Sequence, residues 1–125
     1  MPGVIVFGEA SRGVWGQMSS CSELLDLYQI YGEPTEGSLG LYWAIQALLK
    51  GKECLYWRVR QESLSLEDYH LGLNQLSSLS LETWEGLFLP NMSESSVIEH
   101  AAAYCRQKQK LLLMDPLDLQ DWLLN

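Results

Sequence analysis

The sequence Lys110-Leu111-Leu112-Leu113-Met114-Asp115-Pro116 sets four consecutive apolar side chains between a lysine and an Asp-Pro pair. A run this short and dense, closed by a proline, predicts a strand buried on both faces, the kind that parallel sheets contain. Just upstream, residues 95–109 carry apolar side chains at helical spacing. Before them, residues 84–90 form another short apolar run ending in a proline. Strand, helix, strand is the right-handed crossover unit, so the two runs pair in parallel and Asp115 falls at the carboxyl edge. Ligands and catalytic groups often gather at that edge, although a fold alone does not make a function.

The same reading extends outward. Val4-Ile5-Val6-Phe7 is a β-branched apolar strand ended by Gly8, and residues 8–16 are a loop punctuated by Gly8, Gly13 and Gly16. Residues 53–61 alternate Leu55, Trp57 and Val59 against Tyr56, Arg58 and Arg60, the period of a strand with one wetter face. A helix is expected over residues 20–31, with Ser20 and Glu23 as a capping-box pair and Gly32 as its stop. A second spans residues 38–50 and is apolar on most of its circumference, so a sheet or a partner must bury it. Ser65 with Asp68 opens a third helix, and residues 93–96 cap a fourth. Residues 118–124, with Trp122, form a short amphipathic helix or a docking tail. These segments predict an α/β fold in a single compact domain over residues 1–125. It has a mostly parallel sheet of about four strands with helices on both faces.

Composition narrows the function. The 125 residues (14.2 kDa) carry 16 acidic and 8 basic side chains, a net charge of −8, which argues against a nucleic-acid backbone as ligand. Cys21, Cys54 and Cys105 are odd in number and unclustered, as expected for reduced core thiols of a cytosolic protein. No signal peptide and no run near the roughly 20 apolar residues of a membrane span is present. The glycine loop fails the phosphate-cradle pattern, because Val14 and Trp15 follow Gly13 where a lysine and a hydroxyl residue are needed. No metal-ligand spacing and no G-x-S-x-G occurs. His70 and His100 read as solvated helix histidines. Asp115 before a proline reads as a turn device whose carboxylate bonds local backbone. Arg58 and Arg60 project together on the wetter strand face. There they suit an acidic partner or, more plainly, neighbouring carboxylates.

The order of segments resembles the core domain of contractile phage tail-sheath proteins, also found in R-type pyocins and related contractile injection systems. Residues 3–16 (GVIVFGEASRGVWG) are similar to that family's first strand and its "VG-A-x-x-G" loop. Residues 19–32 resemble a "TS-x-x-x-F-x-x-x-FG" helix, with Leu24 or Leu27 and Tyr31-Gly32 in the matching places. Residues 39–60 resemble the helix, glycine turn and "CYVVRV" strand. Residues 73–116 resemble "L-x-x-L … LxxLPG … ILDPP" through Leu87-Phe88-Leu89-Pro90 and Leu112-Leu113-Met114-Asp115-Pro116. Asn91 replaces a glycine and Leu117 a second proline. Sheath subunits are several times longer, with terminal arms that lend strands to neighbours. This chain has little before Val4 or after Pro116 and is not expected to exchange arms by itself.

The resemblance implies a structural, non-enzymatic sheath-like subunit or accessory component that works through subunit contacts and needs no cofactor, metal or small-molecule substrate. Its partners would be a second copy, a longer sheath protein or tail-tube proteins, in the cytoplasm or in the tail particle. The contact residues expected are Glu9, Arg12 and Trp15 in the glycine loop, Arg58 and Arg60, and Trp122. Two readings from other classes stand beside it. One is a small α/β enzyme or phospho-acceptor centred on Asp115. The other is an adaptor that docks through the helix over residues 38–50.

Overall fold

The computed structural model describes residues 3–80 and 83–124. In chain order the elements are β1 (Gly3–Gly8), β2 (Ser19–Cys21), α1 (Leu24–Tyr31), α2 (Gly40–Leu49), β3 (Glu53–Arg58) and α3 (Leu66–Ser77). Then follow β4 (Trp84–Phe88), α4 (Ser95–Lys108), β5 (Leu111–Leu113) and α5 (Pro116–Leu124). The strands form one five-stranded sheet in the order β2-β3-β1-β4-β5. β1 pairs in parallel with β3 and β4, β4 pairs in parallel with β5, and β2 runs antiparallel along β3. This is the expected α/β class, with five strands in place of four.

Two apolar layers hold the sheet. Ile5, Phe7, Leu55, Trp57 and Leu87 meet Tyr69, Leu73 and Leu76 of α3 and Val97 and Ala101 of α4. Val4, Val6, Tyr56 and Phe88 meet Leu27 and Tyr31 of α1, Leu41 and Ala44 of α2, and Leu119 and Leu123 of α5. All six residues of β1 are buried. Its continuous apolar run is what a central strand covered on both faces requires.

Several expectations need correction. β5 is an edge strand, and Leu111 is 54% exposed, so the Leu111–Leu113 run is not buried on both faces. The doubly covered strand is β1. Ser20 does not cap a helix: Ser19–Cys21 pair with β3, placing Cys21 opposite Cys54. The cap is Glu23, whose side chain bonds the first turn while Asp26 Oδ2 accepts from the Glu23 N–H at 3.2 Å. The expected wetter face of β3 is wet only towards its end: Tyr56 is fully buried under α1 and α2, while Arg58 is half-buried and Arg60, past the strand, is exposed. Of the two readings of residues 118–124 the helix is the one found: α5 docks on the sheet through Leu119 and Leu123. The helical pattern of the sequence breaks over residues 77–82, of which residues 81 and 82 lie outside the described residues. Among the described residues no helix is long and apolar enough to cross a membrane.

Candidate functional site

The carboxyl edge of β1 is built around one carboxylate. Gly8 and Gly40 lie so close that a Cβ on either would sit 2.6 Å from the other's Cα, which brings the start of α2 onto the end of β1. Glu62, beyond β3, fills the junction. Its Oε1 accepts from the Leu39 N–H at 2.7 Å, and its Oε2 accepts from the N–H groups of Gly40 and Glu9, both at 2.9 Å. Glu62 thereby caps α2 from outside that helix, meeting N–H groups that a helix start leaves open. Glu9 reciprocates, its Oε2 accepting from the Glu62 N–H at 2.9 Å. The Tyr56 hydroxyl donates to the Glu9 carbonyl at 2.8 Å. Burial and the nearby Glu62 charge hold that phenol well above its ordinary pKa, so it stays a donor.

From this junction the glycine loop is tied down along its length. Arg58 donates to the carbonyls of Gly13 at 2.6 Å and Ala10 at 3.0 Å, and its guanidinium lies 3.8 Å from the centre of the Trp15 ring. Ser11 donates to the Tyr31 carbonyl at 3.1 Å, and Arg12 to the Tyr28 carbonyl at 2.7 Å while lying over the Tyr28 ring. Gln75 of α3 donates to the Gly16 carbonyl at 2.7 Å. Gly13 is needed twice over: its φ is 113°, and a Cβ there would come 2.8 Å from the Tyr31 ring. What the loop then offers to solvent is apolar. Val14 and Trp15 are half exposed, and so are Leu25 and Tyr28 on α1, where Arg12 lies over the Tyr28 ring. A patch of this kind on an ordered surface marks a contact site more often than a stray exposed residue does.

Four of the six expected contact residues, Glu9, Arg12, Trp15 and Arg58, therefore come together. The other two do not. Arg60 turns to the α3 side, where its Nε and Nη2 both donate to the Asp68 carboxylate at 3.1 Å and its N–H donates at 2.8 Å. Burial alone would raise the Asp68 carboxyl, but these bonds from Arg60 outweigh it and hold the group below its ordinary value. Arg58 and Arg60 thus do not project together, because β3 ends at Arg58 and the chain turns. Trp122 lies at the opposite, amino edge of the sheet, with the Lys52 ammonium 5.1 Å from its ring centre. It lines an open cleft of about 830 Å³ with Trp84, Lys108 and Lys110. The Lys110 ammonium donates to the Trp84 carbonyl.

Asp115 behaves as a local cap. Its Oδ1 accepts from the Leu117 N–H at 2.8 Å, and its carbonyl receives the first N–H groups of α5. Among the described residues no group of three His, Cys, Asp or Glu side chains could hold a metal ion. Sequence reasoning missed Glu62 because its partners lie 22 and 53 residues away, and no local pattern encodes them. It also misread His70 and His100. The two rings meet across α3 and α4 with their Nδ1 atoms 2.8 Å apart.

Against known protein families, curated proteins and solved structures, the chain finds no match.

Proposed function

We propose that this chain is a structural, non-enzymatic sheath-like subunit, or an accessory component, of a contractile phage tail or injection apparatus, acting through contacts between subunits. The anchored glycine loop carries the reading. At least six side-chain hydrogen bonds fix residues 9–16, yet Val14 and Trp15 face outward and not into a cleft. A rigid aromatic projection of this kind binds with little ordering entropy to lose, which suits a repeated contact between subunits. The sequence resemblance supplies the setting: such domains rearrange as rigid bodies between two packings, with no chemistry in each. The partner is then a second copy, a longer sheath protein or a tail-tube protein, met in the cytoplasm of a bacterial or infected cell or in the tail particle.

Sedimentation and electron microscopy of the chain alone, and together with a full-length sheath protein, test this directly. Concentration-dependent assembly or co-assembly is expected. The pair of substitutions Val14→Ser and Trp15→Ala should weaken it by about tenfold or more, the range of a contact-centre aromatic, while the chain stays folded and loses no more stability than the Arg58–Trp15 contact supplies, about 1 kcal/mol. A chain that stays monomeric at high concentration and never enters sheath particles would remove the proposal.

A further inference from the structure

His70 on α3 and His100 on α4 touch each other through like atoms, Nδ1 to Nδ1 at 2.8 Å, with ring centres 5.1 Å apart and planes inclined by 21°. The centre separation exceeds the nitrogen separation by about the two ring radii, so the nitrogens point at one another along a nearly common line. That is hydrogen-bond geometry, N–H···N, and not face-to-face stacking. One ring must carry the proton on Nδ1 and the other must present a lone pair there. The acceptor ring is therefore neutral. Protonating it would set two N–H groups head to head at a distance that only a shared proton allows.

We infer that the His70–His100 contact is a shared-proton latch between α3 and α4, closed at neutral pH and opened when the second imidazole takes up its proton. Among the described residues the hydrogen-bond partners of the pair besides each other are limited to the Ser96 hydroxyl. The charge acting on His100 is that of His70, and burial comes first among the causes that hold His100 below its ordinary value. On α3, helical spacing puts Glu67 one turn before His70. On α4 it puts the Ser96 and Tyr104 hydroxyls one turn to either side of His100, with the Ser96 Oγ 3.5 Å from the His70 Nε2. Glu99 adjoins His100 but is exposed. Burial pushes Tyr104 up to about 12, so it stays neutral throughout. The core layer shared with α3 and α4 offers apolar groups, among them Leu87 of β4 and Leu89 just after it.

The sign follows from the direction of the shift. A histidine whose folded pKa is lowered binds its proton less readily folded than unfolded. Its contribution to stability is full above the unfolded value, near 6.5, and is lost as pH falls through the lower folded value. Acidification then loosens the α3–α4 pair. Those two helices cover one face of the sheet, and α3 also holds the glycine loop through Gln75.

Histidine NMR titration of the intact protein, with amide exchange at several pH values, decides the matter. Two separate macroscopic steps are expected, as for any pair coupled this closely. Exchange in α3 and α4, corrected for its intrinsic pH dependence, should accelerate about tenfold between about pH 7 and pH 5 while β1 and β3 stay protected. His100→Gln should abolish that acid-dependent loosening. Should that variant fail to fold, the wild-type titration alone is decisive. A single step near the ordinary histidine value, or exchange in α3 and α4 that ignores pH, overturns the latch.

Discussion

Glu62 ties three backbone N–H groups from two separate segments to a single carboxylate. One carboxylate closes the start of α2, fixes Glu9 and lets Gly8 and Gly40 touch. Charge-assisted bonds of this sort contribute more than neutral ones, and stranded N–H groups beside a strand end are expensive. Glu62→Gln should therefore lower the unfolding free energy by about 2 kcal/mol in a urea titration. It should also loosen the glycine loop, visible as faster amide exchange at Glu9. A change of only a few tenths would show that solvent already satisfies these groups. The thiols make a second test. Cys21, Cys54 and Cys105 are free and buried, and burial pushes Cys21 and Cys105 each up to about 11. Thiolate is the reactive form, so none should react with iodoacetamide at neutral pH until the chain unfolds. Rapid modification of the native protein would contradict the buried placement.

At the scale of elements, local chemistry and tertiary contact divide the credit. Gly32 ends α1 with φ 78° and donates its N–H to the Tyr28 carbonyl at 2.8 Å, as its position after the apolar stripe predicts. Asp115 caps α5 as an aspartate before a proline should. The substitution Asp115→Ala should cost about 1 kcal/mol and fray α5 alone. Asp115→Asn, which keeps an N-cap oxygen, should be close to neutral in thermal unfolding. An Asp115→Asn protein that folds normally yet loses a function would instead revive the reading of Asp115 as a chemical group. β2 was illegible for a physical reason. Residues 19–21 form a strand only because β3 offers them an edge, and their serines look equally like a helix cap. Leu111 misled in the opposite way. An apolar run signals a strand, but not whether it ends in the middle of a sheet or at its margin.

For the whole molecule, the sheet order puts the two chemically rich regions at opposite edges: the Glu62 junction and aromatic loop at the carboxyl edge of β1, and the Lys52–Trp122 cleft at the amino edge. Both layers are needed to hold this arrangement. Leu119 of α5 is fully buried in the layer of β1, α1 and α2. Leu119→Ala should remove about 3 kcal/mol of stability, the usual loss for a core leucine truncated to a cavity. A loss under about 1 kcal/mol would mean that α5 is only loosely docked.

The amino-acid order alone determined the α/β class, the parallel pairing of the apolar runs, the helix stop at Gly32 and the bond of the Asp115 carboxylate to its local backbone. Each depends on side-chain periodicity or on residues within one turn of each other. Tertiary structure alone decided which strand is central, that Arg58 and Arg60 part company, that Glu62 caps a distant helix, and that two histidines share one proton. Those outcomes are set by groups that lie far apart in the chain and meet only when the layers close. No local pattern records such meetings.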